Sequence, residues 1–161
     1  MPPRGGDASH ALEMAKALKG LVHAVNVTDG SRAVMRMSSL AVARLLLEEG
    51  IEPVLQMACR DRNRIAIQAD LLGAHALGIR NLLCLTGDPV RAGDQPKARP
   101  VNELESVRLL QQVTAFNRGD DPVKGELADG PTDIFAGAAA DPQCASWSGL
   151  VRRMQRKKDA G

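Results

Sequence analysis

Tyrosine is absent from the 161-residue chain, and Phe116, Phe135 and Trp147 are its only aromatic side chains. So few rings provide no platform on which bases stack, and 21 basic against 19 acidic residues leave a net charge of +2, too small for a general affinity for nucleic acid. No apolar run approaches the roughly 20 residues of a membrane span, and no basic stretch followed by an apolar core stands at the amino terminus. Neither membrane insertion nor secretion is expected, and the predicted location is the cytoplasm. Cysteine is scarce: Cys59, Cys84 and Cys144 are odd in number and lack CxxC spacing, which argues against a disulfide framework or a zinc knuckle and predicts free thiols. His10, His23 and His75 are scattered, with no clustered carboxylates, so no metal site is expected. Neither GxGxxG nor a Walker GxxxxGK motif occurs, which removes two common nucleotide-binding signatures. What remains, 44% apolar and 25% charged residues, is the balance of a soluble globular protein, and a single domain over residues 1–161 is expected.

The apolar residues alternate between the periodicities of strand and helix. Asp7 is placed to cap a helix carrying Ala8, Ala11, Leu12, Ala15 and Leu18 on one face, with Gly20 as its stop. Leu21 to Val27 reads as a buried strand ending at the turn Thr28-Asp29-Gly30. A helix from Ser38 or Ser39 through Leu40, Ala43 and Leu47 stops at Gly50. Pro53 to Cys59 is a second strand, and Asp61 can cap a helix whose inward stripe is Ile65, Ala69, Leu72 and Ala76, ending near Gly78. Asn81 to Thr86 is a third strand, followed by a polar excursion from Val90 to Pro100. Leu104, Val107, Leu110 and Val113 mark a helix, Asp133 to Ala140 a fourth strand, and Trp147, Leu150, Val151 and Met154 a last helix. Strands alternating with helices predict an α/β fold with about four parallel strands, since a helical crossover is the ordinary route between parallel neighbours. An open doubly wound sheet and part of a (β/α)8 barrel both satisfy this pattern. A full barrel takes about 250 residues, so 161 supply only part of one.

In either architecture ligands bind beyond the carboxyl ends of the strands. Those ends carry Thr28-Asp29, Cys59-Arg60-Asp61-Arg62-Asn63-Arg64 and Thr86-Gly87-Asp88. Gly87 lets a bound ring approach the backbone, and Asp88 places a carboxylate in the mouth of such a site. On spacing alone, Gly87-Asp88-Pro89 and Thr28-Asp29-Gly30 are also ordinary turns, and Arg60 to Arg64 is also a capped helix start with solvated arginines. The cations Arg152, Arg153, Arg156, Lys157 and Lys158 read either as a solvated helix face or as partners for the phosphates of a nucleotide cofactor.

Three blocks give the chain a resemblance. They are Ala24-Val25-Asn26-Val27-Thr28-Asp29, the run from Pro53 through Gln56-Met57-Ala58-Cys59-Arg60-Asp61-Arg62 to Arg64, and the run from Leu71 through Gly78-Ile79-Arg80 to Thr86-Gly87-Asp88-Pro89. Phe135 to Ala139 and Arg156 to Gly161 extend it more loosely. In these blocks the chain resembles the catalytic barrel of the methylenetetrahydrofolate reductase family. The resemblance implies a (β/α)8 barrel that holds FAD, takes hydride from NADH or NADPH, and reduces 5,10-methylenetetrahydrofolate to 5-methyltetrahydrofolate. It implies that Asp88 is the catalytic carboxylate beside flavin and folate, that Thr86 and Gly87 contact FAD, and that Thr28 lies at the flavin ring. Gln56 would stand where some relatives carry a flavin-contacting histidine, and Arg156 and Lys157 would reach the cofactor's phosphates. The family's acid, a glutamate ahead of the segment matching Pro2-Pro3-Arg4, and its folate-binding glutamine, past the match to Gly161, are not expected among these residues. The resemblance thus covers about the first two thirds of a barrel, and the expected form is a partial barrel with two open strand edges that pairs with itself or with a complementing chain. The alternative is a non-catalytic flavin-binding or assembly subunit.

Overall fold

Turn glycines and polar caps divide the chain into alternating units, and the computed structural model describes all of residues 1–161. In order these are α1 (Ser9–Lys16), β1 (Val25–Val27), α2 (Ser39–Glu48), β2 (Pro53–Ala58), α3 (Arg64–Ala76), β3 (Asn81–Leu85), α4 (Ser106–Arg118), β4 (Phe135–Ala138) and α5 (Trp147–Ala160). The four strands form one sheet in the order β1-β2-β3-β4, every pair parallel. A doubly wound sheet reverses its strand order at a switch point, whereas a barrel adds each strand beside the last. The unreversed order is therefore that of a partial (β/α)8 barrel.

Burial alternates along the strands as a sheet covered on one face requires. Val27, Leu55, Met57, Leu82 and Cys84 are buried with Val42, Leu46, Ile67, Leu71, Leu109 and Val113 of the helices in one core. The opposite set is more open: Asn26 is exposed, Val54, Gln56, Leu83 and Leu85 are half-buried, and Phe135 is 78% exposed. No helix is long and apolar enough to cross a membrane.

Several elements depart from the sequence expectation. The first strand is only Val25–Val27, because Leu21 and Val22 belong to a turn that hydrogen-bonds back to Leu18. Leu18 lies past the end of α1 and is 41% exposed. The cap position of α1 is Ala8, and Asp7 instead accepts the Ser9 N–H at 2.9 Å. Asp61 does not cap α3. It pairs with Arg60 in a short 3-10 turn, and Asn63 is the cap, its Oδ1 accepting the Ala66 N–H at 2.9 Å. The inward face of α3 is Ile67, Leu71 and Ala74, whereas Ile65 is 76% exposed and Ala69, Leu72 and Ala76 face solvent. The fourth strand is confined to Phe135–Ala138. In α5 only Leu150 and Ala160 are buried, and Trp147, Val151 and Met154 remain exposed. That helix is fastened at its end, where the Thr114 hydroxyl of α4 donates to the Ala160 carbonyl at 2.8 Å.

Candidate active site

The carboxyl ends of β1, β2 and β3 are joined by side chains that cross from one loop to the next. Arg62, just after β2, donates from Nη1 to Asp29 Oδ2 at 2.6 Å and from Nε to Asp70 Oδ2 at 2.8 Å. Asp29 lies past the end of β1 and also accepts the Ala58 N–H at 2.9 Å. Burial lowers the pKa of the Arg62 guanidinium, but the hydrogen bond and charge of Asp29, followed by those of Asp70, outweigh it and leave the group above its usual value. Arg60 is buried as well. Its Nε and Nη2 grip the Asp61 carboxylate at 2.7 and 2.6 Å, which raises its pKa against the opposing cost of burial. These arginines are thus a bridging network and not a solvated helix start.

The loop after β1 is zipped to the loop after β3. Asp88 Oδ2 accepts the Arg32 N–H at 2.6 Å, and Asp94 Oδ1 accepts the Met35 N–H at 3.0 Å. Arg32 and Ala33 hold φ of 57° and 55°, a left-handed conformation costly for residues with a Cβ, so their contacts hold them in a strained turn. Gly93 presses its backbone onto that turn, and a Cβ built on it would overlap the Ala33 carbonyl. Gly93→Ala is therefore expected to destabilise the protein by about 1–3 kcal/mol in urea unfolding, since backbone must move to admit one methyl. An unchanged midpoint would show that the loops part freely.

The loop after β3 and Arg60 enclose a cleft of about 540 Å³, edged by Arg60, Thr86, Gly87, Asp88 and Arg91. Its size falls within the range of small-molecule sites. Thr86, Gly87 and Asp88 thus line one cavity, although the Thr86 hydroxyl also accepts the Ser106 N–H at 3.3 Å. Thr28 sits at the end of β1, its hydroxyl buried and without a partner, a group that a ligand atom would satisfy. Gln56, within β2, donates from Nε2 to Asn26 Oδ1 at 3.3 Å on the open face of the sheet. Arg156 and Lys157 are occupied elsewhere: Arg156 lies 3.3 Å from Glu105 Oε1 beside a separate hollow, and Lys157 donates to the Ala139 carbonyl. Chain spacing alone could not reveal Arg32 or Asp94, which enter through contacts across 56 and 59 residues.

The thiols stand outside this chemistry. Burial, reinforced by Glu105 and opposed by Arg62, pushes Cys59 up to about 11. Burial again, with Cys59 nearby, pushes Cys84 up to about 12, so both are neutral at physiological pH. No group of three or more His, Cys, Asp or Glu side chains is arranged to hold a metal ion.

A flavin fits the donors and acceptors of this edge in kind. Thr86, Gly87 and the carboxylate-bearing Asp88 line the cleft together, whereas Thr28, with its unpartnered hydroxyl, and Gln56 lie outside that lining, at the end of β1 and within β2 of the same sheet. No curated protein matches the chain. The family described as methylenetetrahydrofolate reductase matches residues 1–161, the whole length, on a partial barrel whose polar groups gather at the strand ends. The chain belongs to the methylenetetrahydrofolate reductase family of oxidoreductases.

Proposed function

We propose that residues 1–161 form one barrel-like domain of a cytoplasmic, flavin-dependent enzyme that reduces 5,10-methylenetetrahydrofolate to 5-methyltetrahydrofolate at the expense of NADH or NADPH. The observation that carries this reading is the family match along the entire chain, joined to the cleft that Thr86, Gly87 and Asp88 line. FAD, when bound, supplies the redox chemistry that no side chain of the protein offers. Thr28 would satisfy its buried hydroxyl on the ring, Gln56 would contact it from β2, and the peptides of Thr86 and Gly87 would lie against it. Asp88 would hold its carboxylate toward flavin and folate, where a fixed negative charge tunes the electronics of both. Arg156 and Lys157 would reach the phosphates after exchanging Glu105 and the Ala139 carbonyl for the ligand.

A second reading, a non-catalytic flavin-binding or assembly subunit, is favoured by the open inner face of the sheet and the exposed Phe135. In it the chain pairs with itself or with a complementing chain. Purified protein separates the two. On the first reading added FAD is retained, bleached by NADH or NADPH, and recoloured by methylenetetrahydrofolate; retained FAD without turnover supports the second. Asp88→Asn is expected to slow the recolouring step by about tenfold or more while leaving the unfolding midpoint nearly unchanged. Equal rates in the two proteins would remove Asp88 from the chemistry.

A further inference from the structure

Arg60, at 5% exposed, is the one charged residue among the buried set, and its position is built from three sides. Nη1 lies 3.3 Å from the Gly30 carbonyl, past β1, and 3.3 Å from the Asp88 carbonyl, past β3. Nε and Nη2 are held by Asp61, and the Arg60 carbonyl accepts the Val101 N–H at 2.7 Å. Four of the five N–H bonds of the guanidinium are thus directed, and only a planar fork can meet both carbonyls and the carboxylate together.

The two neighbouring glycines make room for it. A Cβ at Gly30 would stand 2.7 Å from Arg60 Nη2, and one at Gly87 would stand 2.9 Å from Arg60 Cβ and 3.2 Å from Ala58 Cβ. Gly87 also holds φ at +97°, a conformation unfavourable for any residue with a Cβ. The glycine placed before Asp88 therefore serves Arg60 from the protein side, besides any approach of a ligand from the cleft. Asp88 is then fixed at both ends, its carbonyl by Arg60 and its carboxylate by the Arg32 N–H.

From this arrangement we infer that Arg60 is a positioning residue: its guanidinium joins the loops after β1 and β3 and so sets where the Asp88 carboxylate points. The inference rests on the reading of Asp88 as the carboxylate at flavin and folate, and it adds the residue that aims it. A cation buried this close to the site is not required for the sheet, whose ladders form without it. It is required if Asp88 is to keep one direction on an otherwise irregular segment between Thr86 and Pro89.

Amide hydrogen exchange on the full chain tests the inference without any cofactor. Arg60→Lys keeps the charge and loses the fork. Exchange at Arg32, whose N–H rests on Asp88, is expected to quicken by about tenfold, with Leu55 and Leu82 in the sheet within about twofold of the parent. An unchanged Arg32, or equal quickening at all three, would overturn the proposal, because Arg60 would then be idle or a general brace. Should the lysine variant fail to fold, Asp61→Asn frees the guanidinium from its anchor and is read at the same three amides, with a smaller change confined to Arg32 expected. With FAD bound, Asp88→Asn is expected to cost at least about fivefold less in the Arg60→Lys background than in the parent, the mark of two residues acting as a unit. Multiplying losses would overturn the link. Failure of the flavin reading shows separately, as a parent protein that takes up no FAD, and the exchange at Arg32 still decides the role of Arg60.

Discussion

Asp29→Ala is expected to lower stability by about 2–4 kcal/mol, because it leaves the largely buried Arg62 guanidinium with Asp70 as its one remaining carboxylate. The Arg62 side chain is 18% exposed and Asp29 is 10% exposed, so water can replace little of what the substitution removes. The same carboxylate also accepts the Ala58 N–H, so the end of β2 loses a backbone partner at the same time. In urea the midpoint should fall with little change in slope, the signature of lost stability without a changed unfolded state. Replacing both partners together, as Asp29→Leu with Arg62→Met, should recover part of the loss, since the under-paired guanidinium goes too and Asp70, 34% exposed, can turn to water, while the Ala58 N–H still lacks its acceptor. A single-variant cost under about 1 kcal/mol would mean the pair behaves as a surface ion pair.

Leu71→Ala is expected to cost about 2–5 kcal/mol, whereas Ile65→Ala should stay within about 0.5 kcal/mol. Leu71 is completely buried on the inward face of α3, and Ile65, six residues earlier, is 76% exposed. Urea unfolding of the two variants checks the orientation of the helix directly. A larger loss at Ile65 would mean that the opposite face packs on the sheet.

This pair of variants also marks where the sequence is ambiguous. Helix α3 carries apolar residues around most of its circumference, at 65, 66, 67, 69, 71, 72, 74 and 76, so periodicity admits both the stripe with Ile65 and the stripe with Ile67. The deciding terms are polar contacts around the start of the helix, which apolar periodicity does not register. Arg62 draws Asp70 toward the carboxyl edge of the sheet, and Asn63 in place of Asp61 starts the helix two residues later. The alternation of strand and helix was legible because Gly50 and Gly78 end α2 and α3 and the strands between them are short apolar runs. Parallel pairing follows from those crossovers, and only the observed strand order separates a barrel from a doubly wound sheet. At the site, Thr86-Gly87-Asp88 announced itself as a polar strand end, and the cleft lies there. The roles of Arg60 and Arg62 did not, because Gly30, Asp29 and Asp88 reach them from the loops after β1 and β3, 28 to 33 residues away in the chain.

Positions 30 and 60 form an epistatic pair. While arginine occupies 60, a side chain at 30 collides with its guanidinium, and the site is closed to drift. Shortening 60 first would clear that contact and leave only the left-handed φ of +52°, which asparagine tolerates, yet a side chain acquired there would then bar the arginine from returning. Position 87 stays shut in either order, because its φ of +97° and the Cβ atoms of residues 58 and 60 exclude a side chain however short residue 60 becomes above glycine. Neutral divergence at this edge of the barrel is therefore ordered and ratcheted.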